Sequence, residues 1–169
     1  MITHSPVSFG PQARNRLSEA RSPGPDGALA ALESFYHALN HQDIGVLGAV
    51  WSDHPLAQLN NPLGGMLRGG QQVTDLYRRI FEGPARLEIT FGDFVPYADH
   101  GHAVFAGRET GTYAVGGGEP RPLAIRTTRY FRYDAEQGRW LQYHHHGSID
   151  DPAALAAYQA AVLGRAQAG

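Results

Sequence analysis

Three consecutive histidines, His144-His145-His146, follow the run Trp140-Leu141-Gln142-Tyr143 near the end of the chain. Imidazole titrates near neutrality, so a histidine held in a pocket can give or take a proton at physiological pH. On a strand, alternation sends His144 and His146 to one face and His145 to the other, so the three cannot close one metal site. A pair two apart could gain a third ligand from His100 or His102. The plainer reading packs one parity in a subunit interface and lines a pocket mouth with the other, and no metal is assigned. All 14 cationic residues are arginine, and cysteine and lysine are absent. That removes thiol nucleophiles, disulfides, lysine Schiff bases and a P-loop lysine. Carboxylate, histidine, tyrosine and arginine chemistry remains. Asp53, before His54-Pro55, reads as a turn residue, and Asp93 as a carboxylate within a strand, on either face.

With 169 residues, 42% of them apolar and 18% charged, the chain has the makeup of a soluble single-domain protein. Its net charge of -2 lacks the cationic surplus that phosphate contacts demand, so nucleic acid is not expected as a partner. No stretch approaches the roughly 20 apolar residues that span a bilayer. Met1 to Gly10 lack the cationic start and apolar run of a secretory signal. No membrane partner and a cytoplasmic location are therefore expected. The preference for Ala, Gly and Arg over Lys looks like GC-rich bacterial coding.

The elements that must position these groups can be read from punctuation and period. Residues 1–25 carry Pro6, Pro11, Pro23 and Pro25 and no apolar period, which predicts an arm resting on its own domain or on a partner subunit. Asp26 as N-cap, with Leu29, Leu32, Tyr36 and Leu39 at spacings of three and four, predicts a helix ending near Asn40. Asp43 caps a shorter helix carrying Ile44, Leu47, Val50 and Trp51. Leu56 to Pro62 reads as a short strand, Leu63 to Gly70 as a glycine-rich turn, and Gln71 to Glu82 as a helix with one apolar stripe. Four β-rich runs follow: 86–97, 102–115, 123–133 and 139–148. Their short connections predict an antiparallel meander that curls over the helices. Asp151-Pro152 opens a C-terminal helix reaching about Arg165. The fold expected is α+β: a cone-shaped curved antiparallel sheet wrapped around N-terminal helices, with an arm (1–25), a domain (26–150) and a C-terminal helix (151–169).

This order resembles the nuclear transport factor 2-like superfamily, which has the cystatin-like fold. The strings Phe35-Tyr36-His37-Ala38-Leu39-Asn40, Val50-Trp51-Ser52-Asp53, Asn61-Pro62-Leu63-Gly64 and Arg139 to Ser148 carry the likeness. The nearest branches are the SnoaL-like and ketosteroid-isomerase-homologue proteins, over about residues 28 to 150. Steroid isomerases of the superfamily use a carboxylate base, a tyrosine and a protonated aspartic acid. The resemblance places Asn61 at the base position, Phe35 at the tyrosine and Arg129 near the acid, none of which can do the corresponding task. A one-residue shift would bring in Tyr36 or Asn60. The association domain of calcium/calmodulin-dependent protein kinase ends similarly, in a tryptophan-led strand with His-x-His, and carries arginines on middle strands that face a pocket. Arg108 and Arg129 fall near those positions, and Gly147 takes the place of the last.

From this likeness the pocket is expected to draw ligand-binding residues from Tyr36, Trp51, Asn61, Arg108, Arg129 and Tyr143, with His145 as the candidate catalytic acid/base. Two inward guanidiniums would hold a carboxylate. A mid-strand arginine is, however, as readily paired with a carboxylate such as Glu109 or Glu88. If Arg108 and Arg129 face inward, so do Val104, Ala106, Ile125, Thr127 and Phe131, with Leu141, Tyr143 and His145 on the last strand. Trp140 would then need cover on the outer face. The opposite parity of that strand turns Trp140, Gln142, His144 and His146 inward. Two functions stand open: a SnoaL-like binder of small molecules acting without cofactor as an isomerase, cyclase or dehydratase on a carbonyl compound, or a non-catalytic association or ligand-sensing module for a small acidic ligand. A homodimer through the sheet's outer face is expected in either case.

Overall fold

In the computed structural model, residues 2–164 are described. Helix α1 (Pro25–His41) starts at a proline, whose missing N–H costs nothing in a first turn, so its N-cap is Gly24 rather than Asp26. Helix α2 (Ile44–Val50) is capped as expected, the Asp43 carboxylate accepting from the Val46 amide. Strand β1 (Gln58–Asn60) pairs with β2 (Leu67–Arg68), a two-residue strand inside the stretch expected to be turn alone. Helix α3 (Gly70–Glu82) buries Val73, Leu76, Tyr77, Ile80 and Phe81 along one stripe. Strands β3 (Ala85–Asp99), β4 (His102–Val115), β5 (Arg121–Asp134) and β6 (Arg139–Ser148) form the antiparallel meander. Asp151 caps α4 (Pro152–Leu163); the expected last residue, Arg165, lies outside the described residues.

The six strands run in the order β2-β1-β6-β5-β4-β3, with β1 parallel to β6, in one curved, unclosed sheet. Its inner face closes on α1 through Phe91, Phe94, Phe105 and Phe131, all with 1% exposure or less. Phe105 meets both Phe94 and Phe131 edge-on.

The N-terminal arm lies on its own domain. Phe9 and Phe91 exchange two backbone hydrogen bonds of 2.8 Å, and the Ser5 amide donates to the Phe94 carbonyl. The arm thus covers the edge strand β3, whose backbone groups would otherwise be open to pairing. Farther along, Arg14 and Arg16 both donate to the buried Glu33 of α1.

Asn40 ties α1 to the same strand. Its Oδ1 accepts from the Ile89 amide (2.8 Å), while its Nδ2 donates to the Ile89 and Tyr36 carbonyls (2.9 Å each). Asn40→Ala should cost about 1–3 kcal/mol in urea unfolding, because it orphans the Ile89 N–H and C=O together.

Candidate functional site

The chemistry collects where β4, β5 and β6 pass over α1. On β5, Leu123, Ile125, Thr127, Arg129 and Phe131 point inward, as expected. Strand β4 takes the parity opposite to that expected. Register sets Phe105 across from Arg129 and Arg108 across from Arg126. Directly paired residues share a face, so Ala103, Phe105, Glu109 and Tyr113 are the inward set. Arg108 therefore lies on the outer face, its side chain 62% exposed and paired with Asp93 at 3.2 Å. The arginine pair expected to hold a carboxylate is not formed.

On β6 the inward set follows neither regular parity. Phe131 pairs with Gln142 and Tyr130 with His144, which leaves Tyr143 as the extra residue of a β-bulge. Trp140 and Gln142 face inward before the bulge, His145 and Gly147 after it. Tyr143 is turned out of the expected pocket, its ring 6.0 Å from His54 and 6.3 Å from Tyr130. Trp140 is 2% exposed and donates from Nε1 to the Ser22 carbonyl, so the arm, not a second subunit, covers it. His144 bonds the Gln58 carbonyl, His146 is exposed, and no metal-holding group of three occurs among the described residues.

Arg129 is the largest fully buried side chain, 1% exposed. Its Nε donates to the Tyr36 hydroxyl (2.8 Å), its Nη2 to Glu109 Oε1 (2.7 Å) and its Nη1 to Gln142 Oε1 (3.4 Å). Tyr36 in turn donates to the same Glu109 oxygen at 2.7 Å. The Phe35 ring lies against the guanidinium, 3.7 Å from Cζ to centroid, a cation–π contact strengthened by the absence of water. Burial opposes the arginine's charge, but the neighbouring Tyr36 and Glu109 outweigh it and hold its pKa above the ordinary value. Burial drives the Tyr36 hydroxyl well above its usual range and Tyr77 up to about 12, so both stay protonated.

His145 sits directly across from Arg129 in the sheet. It is 3% exposed, and among the described residues neither ring nitrogen has a hydrogen-bond partner. Burial, reinforced by the charge of Arg129, pushes its pKa well below the ordinary value. At neutral pH it is an uncharged imidazole, with one nitrogen a donor and the other a free lone pair. It borders a cavity of about 30 Å³, shared with Asn61, Tyr77, Glu109, Arg129 and Tyr158. That volume is about what one water occupies. Helix α4 closes the cavity: Tyr158 meets the Tyr113 ring edge-on, and Gln159 donates to the Pro62 carbonyl.

Of the other expected ligand residues, Asn61 lines this cavity, and its Oδ1 accepts from the Leu63 amide. Tyr36 stands behind it as the hinge of the Arg129–Glu109 pair. Trp51 is buried at the end of α2, bridged to Gln142, and does not border the cavity. Tyr77 and Tyr158 were not expected as site residues, Gln142 was expected inward only in the opposite parity of its strand, and Glu109 only as a possible partner for an arginine.

Gly147 packs against Ile125, Pro62 and His145, three residues of the cavity wall. A methyl there would stand 3.0 Å from Ile125 Cγ2 and 3.2 Å from His145 Nε2. Gly147→Ala is expected to cost about 1–3 kcal/mol by overpacking, read from urea unfolding, and to displace the imidazole.

Among the described residues no helix is long and apolar enough to cross a membrane. A search of curated proteins finds no match. Solved structures agree on the fold. One described as a calcium/calmodulin-dependent protein kinase type II association domain, from Thiobacillus denitrificans, is 25% identical, with a TM-score of 0.58, over 76% of this chain and 97% of that one. One described as a dehydratase of the NTF2-like family, from Streptomyces avermitilis, is 20% identical, with a TM-score of 0.63, over 76% and 99%. A ketosteroid isomerase-like protein from Erwinia carotovora atroseptica is 19% identical, with a TM-score of 0.61, over 82% and 99%. The profile of the SnoaL-like domain matches residues 28–152, which include Tyr36, Glu109, Arg129 and His145, and the chain belongs to that family.

Proposed function

We propose that the cone interior binds an uncharged small molecule bearing a carbonyl group, and that His145 moves a proton on it without a cofactor, in an isomerisation, cyclisation or dehydration. The observation that carries this reading is the buried neutral imidazole with two unpartnered nitrogens bordering a cavity. A neutral imidazole at neutral pH has a lone pair with which to accept a proton. Arg129, fixed by Tyr36, Glu109 and Phe35, borders the same cavity, where a guanidinium N–H would donate to the carbonyl oxygen and polarise it.

The same geometry speaks for an uncharged ligand. Glu109 already balances Arg129, and Arg108 is turned outward, so a carboxylate entering the cavity would meet no free cation among the described residues. The cavity must widen to admit any substrate. Helix α4 is the element to move, since Tyr158 is its one buried residue among those described.

The test follows deuterium uptake at the α-carbons of a panel of small cyclic and aliphatic ketones in D2O by proton NMR. Wild type should accelerate exchange of at least one ketone, and His145→Gln should lose about 10²- to 10⁴-fold of that rate. Equal rates for the two proteins would overturn the assignment of His145, and tighter binding of benzoate than of the ketones would overturn the uncharged ligand.

A further inference from the structure

A second hollow, of about 380 Å³, opens where β6 ends and α4 begins. Much of its wall is apolar, with Tyr113, Leu123 and Ile125 from the inner face of the sheet, then Ile149 and Ala154, while Thr110, Ser148 and several charged residues complete it. Glu109 borders both this cleft and the small cavity of His145. The carboxylate is 3% exposed, and both of its hydrogen bonds, from Tyr36 and Arg129, fall on Oε1. Among the described residues Oε2 accepts none, so a nearly buried acceptor is left free at the edge of an apolar cleft. The charges at the rim are already engaged: Arg126 with Asp150 at 2.7 Å, Arg108 with Asp93, and Asp151 with the Ala154 amide that it caps.

We infer that this cleft is a binding site for a small, uncharged, largely apolar molecule with a hydroxyl donor, an alcohol or a phenol, whose O–H bonds Glu109 Oε2. Arg129 balances the charge of Glu109, so an ammonium group would bring an unmatched cation into an apolar wall, whereas a neutral hydroxyl brings only the missing donor. The volume falls within the range of small-molecule sites and suits a ligand of one or two fused rings. His145 does not line this cleft, so the inference is independent of the reading of the interior and can fail without that reading failing.

The test compares two probes, 2-naphthol and 2-methoxynaphthalene, titrated calorimetrically into wild type, Ala154→Trp and His145→Phe. Ala154 is exposed on the first turn of α4, so a tryptophan there fills the cleft without touching the buried pair. Saturable binding of 2-naphthol is expected, weakened at least about tenfold in the methoxy analogue, which cannot donate. Ala154→Trp should weaken it similarly, and His145→Phe should leave it unchanged. Equal affinity for the two probes, no saturable binding of 2-naphthol, or full binding by Ala154→Trp would overturn the site. Binding lost only in His145→Phe would place the ligand in the inner cavity instead, overturning the cleft while favouring the interior reading.

Discussion

Arg129→Met is expected to destabilise the domain by about 3–5 kcal/mol, because it leaves the Glu109 carboxylate buried without its cation. The loss should exceed that from shaving an ordinary core side chain of similar volume. The pair is buried, with side chains 1% and 4% exposed. A double variant, Arg129→Met with Glu109→Leu, should recover most of the loss, since replacing both charges by apolar groups removes the desolvation cost along with the attraction. Urea unfolding of the two variants and the wild type measures both effects. A loss below about 1 kcal/mol for the single variant, the range of exposed pairs, would mean that Glu109 is solvated when Arg129 is gone.

The second large effect is a pH dependence. In the unfolded chain His145 titrates near its ordinary value of about 6.5; in the folded protein burial and Arg129 depress it. Below about pH 6.5 the unfolded state therefore binds a proton that the folded state refuses. Stability is fully present above that pH and falls as pH drops through it toward the folded value, with a slope approaching about 1.4 kcal/mol per pH unit. His144, depressed by burial to a lesser degree, contributes with the same sign. Urea unfolding at steps between pH 7.5 and 5 should show the decline, and His145→Phe should flatten most of it. An unchanged slope in that variant would assign the titration elsewhere.

Much of the fold was legible because local signals and tertiary demands agree. Asp43 and Asp151 sit where their side chains meet the third amide onward, and the stripe on α3 matches its buried face. The site was legible only where it depends on one strand. Alternation along β5 fixes Arg129 among Ile125, Thr127 and Phe131, but says nothing about which face β4 offers, since that is set by register across the turn between them. A signal was present: the even positions of β4 run His102, Val104, Ala106, Arg108, Thr110, Thr112, more polar than the odd set with Phe105 and Tyr113. The bulge at Tyr143 leaves no mark in composition, and it alone lets Gln142 and His145 share one face. The departure at Phe35 also has a structural sense, as the ring supports Arg129 while the hydroxyl comes from Tyr36, one residue on.

The central claim is that His145 is an uncharged imidazole with nitrogens free for a ligand. The ring ¹⁵N resonances of histidine-labelled protein report both its charge and its tautomer. The shifts of His145 should remain those of a neutral ring as the pH falls through the ordinary value of about 6.5. A His145 ring that titrates near pH 6.5, or is doubly protonated at pH 7, would contradict the account.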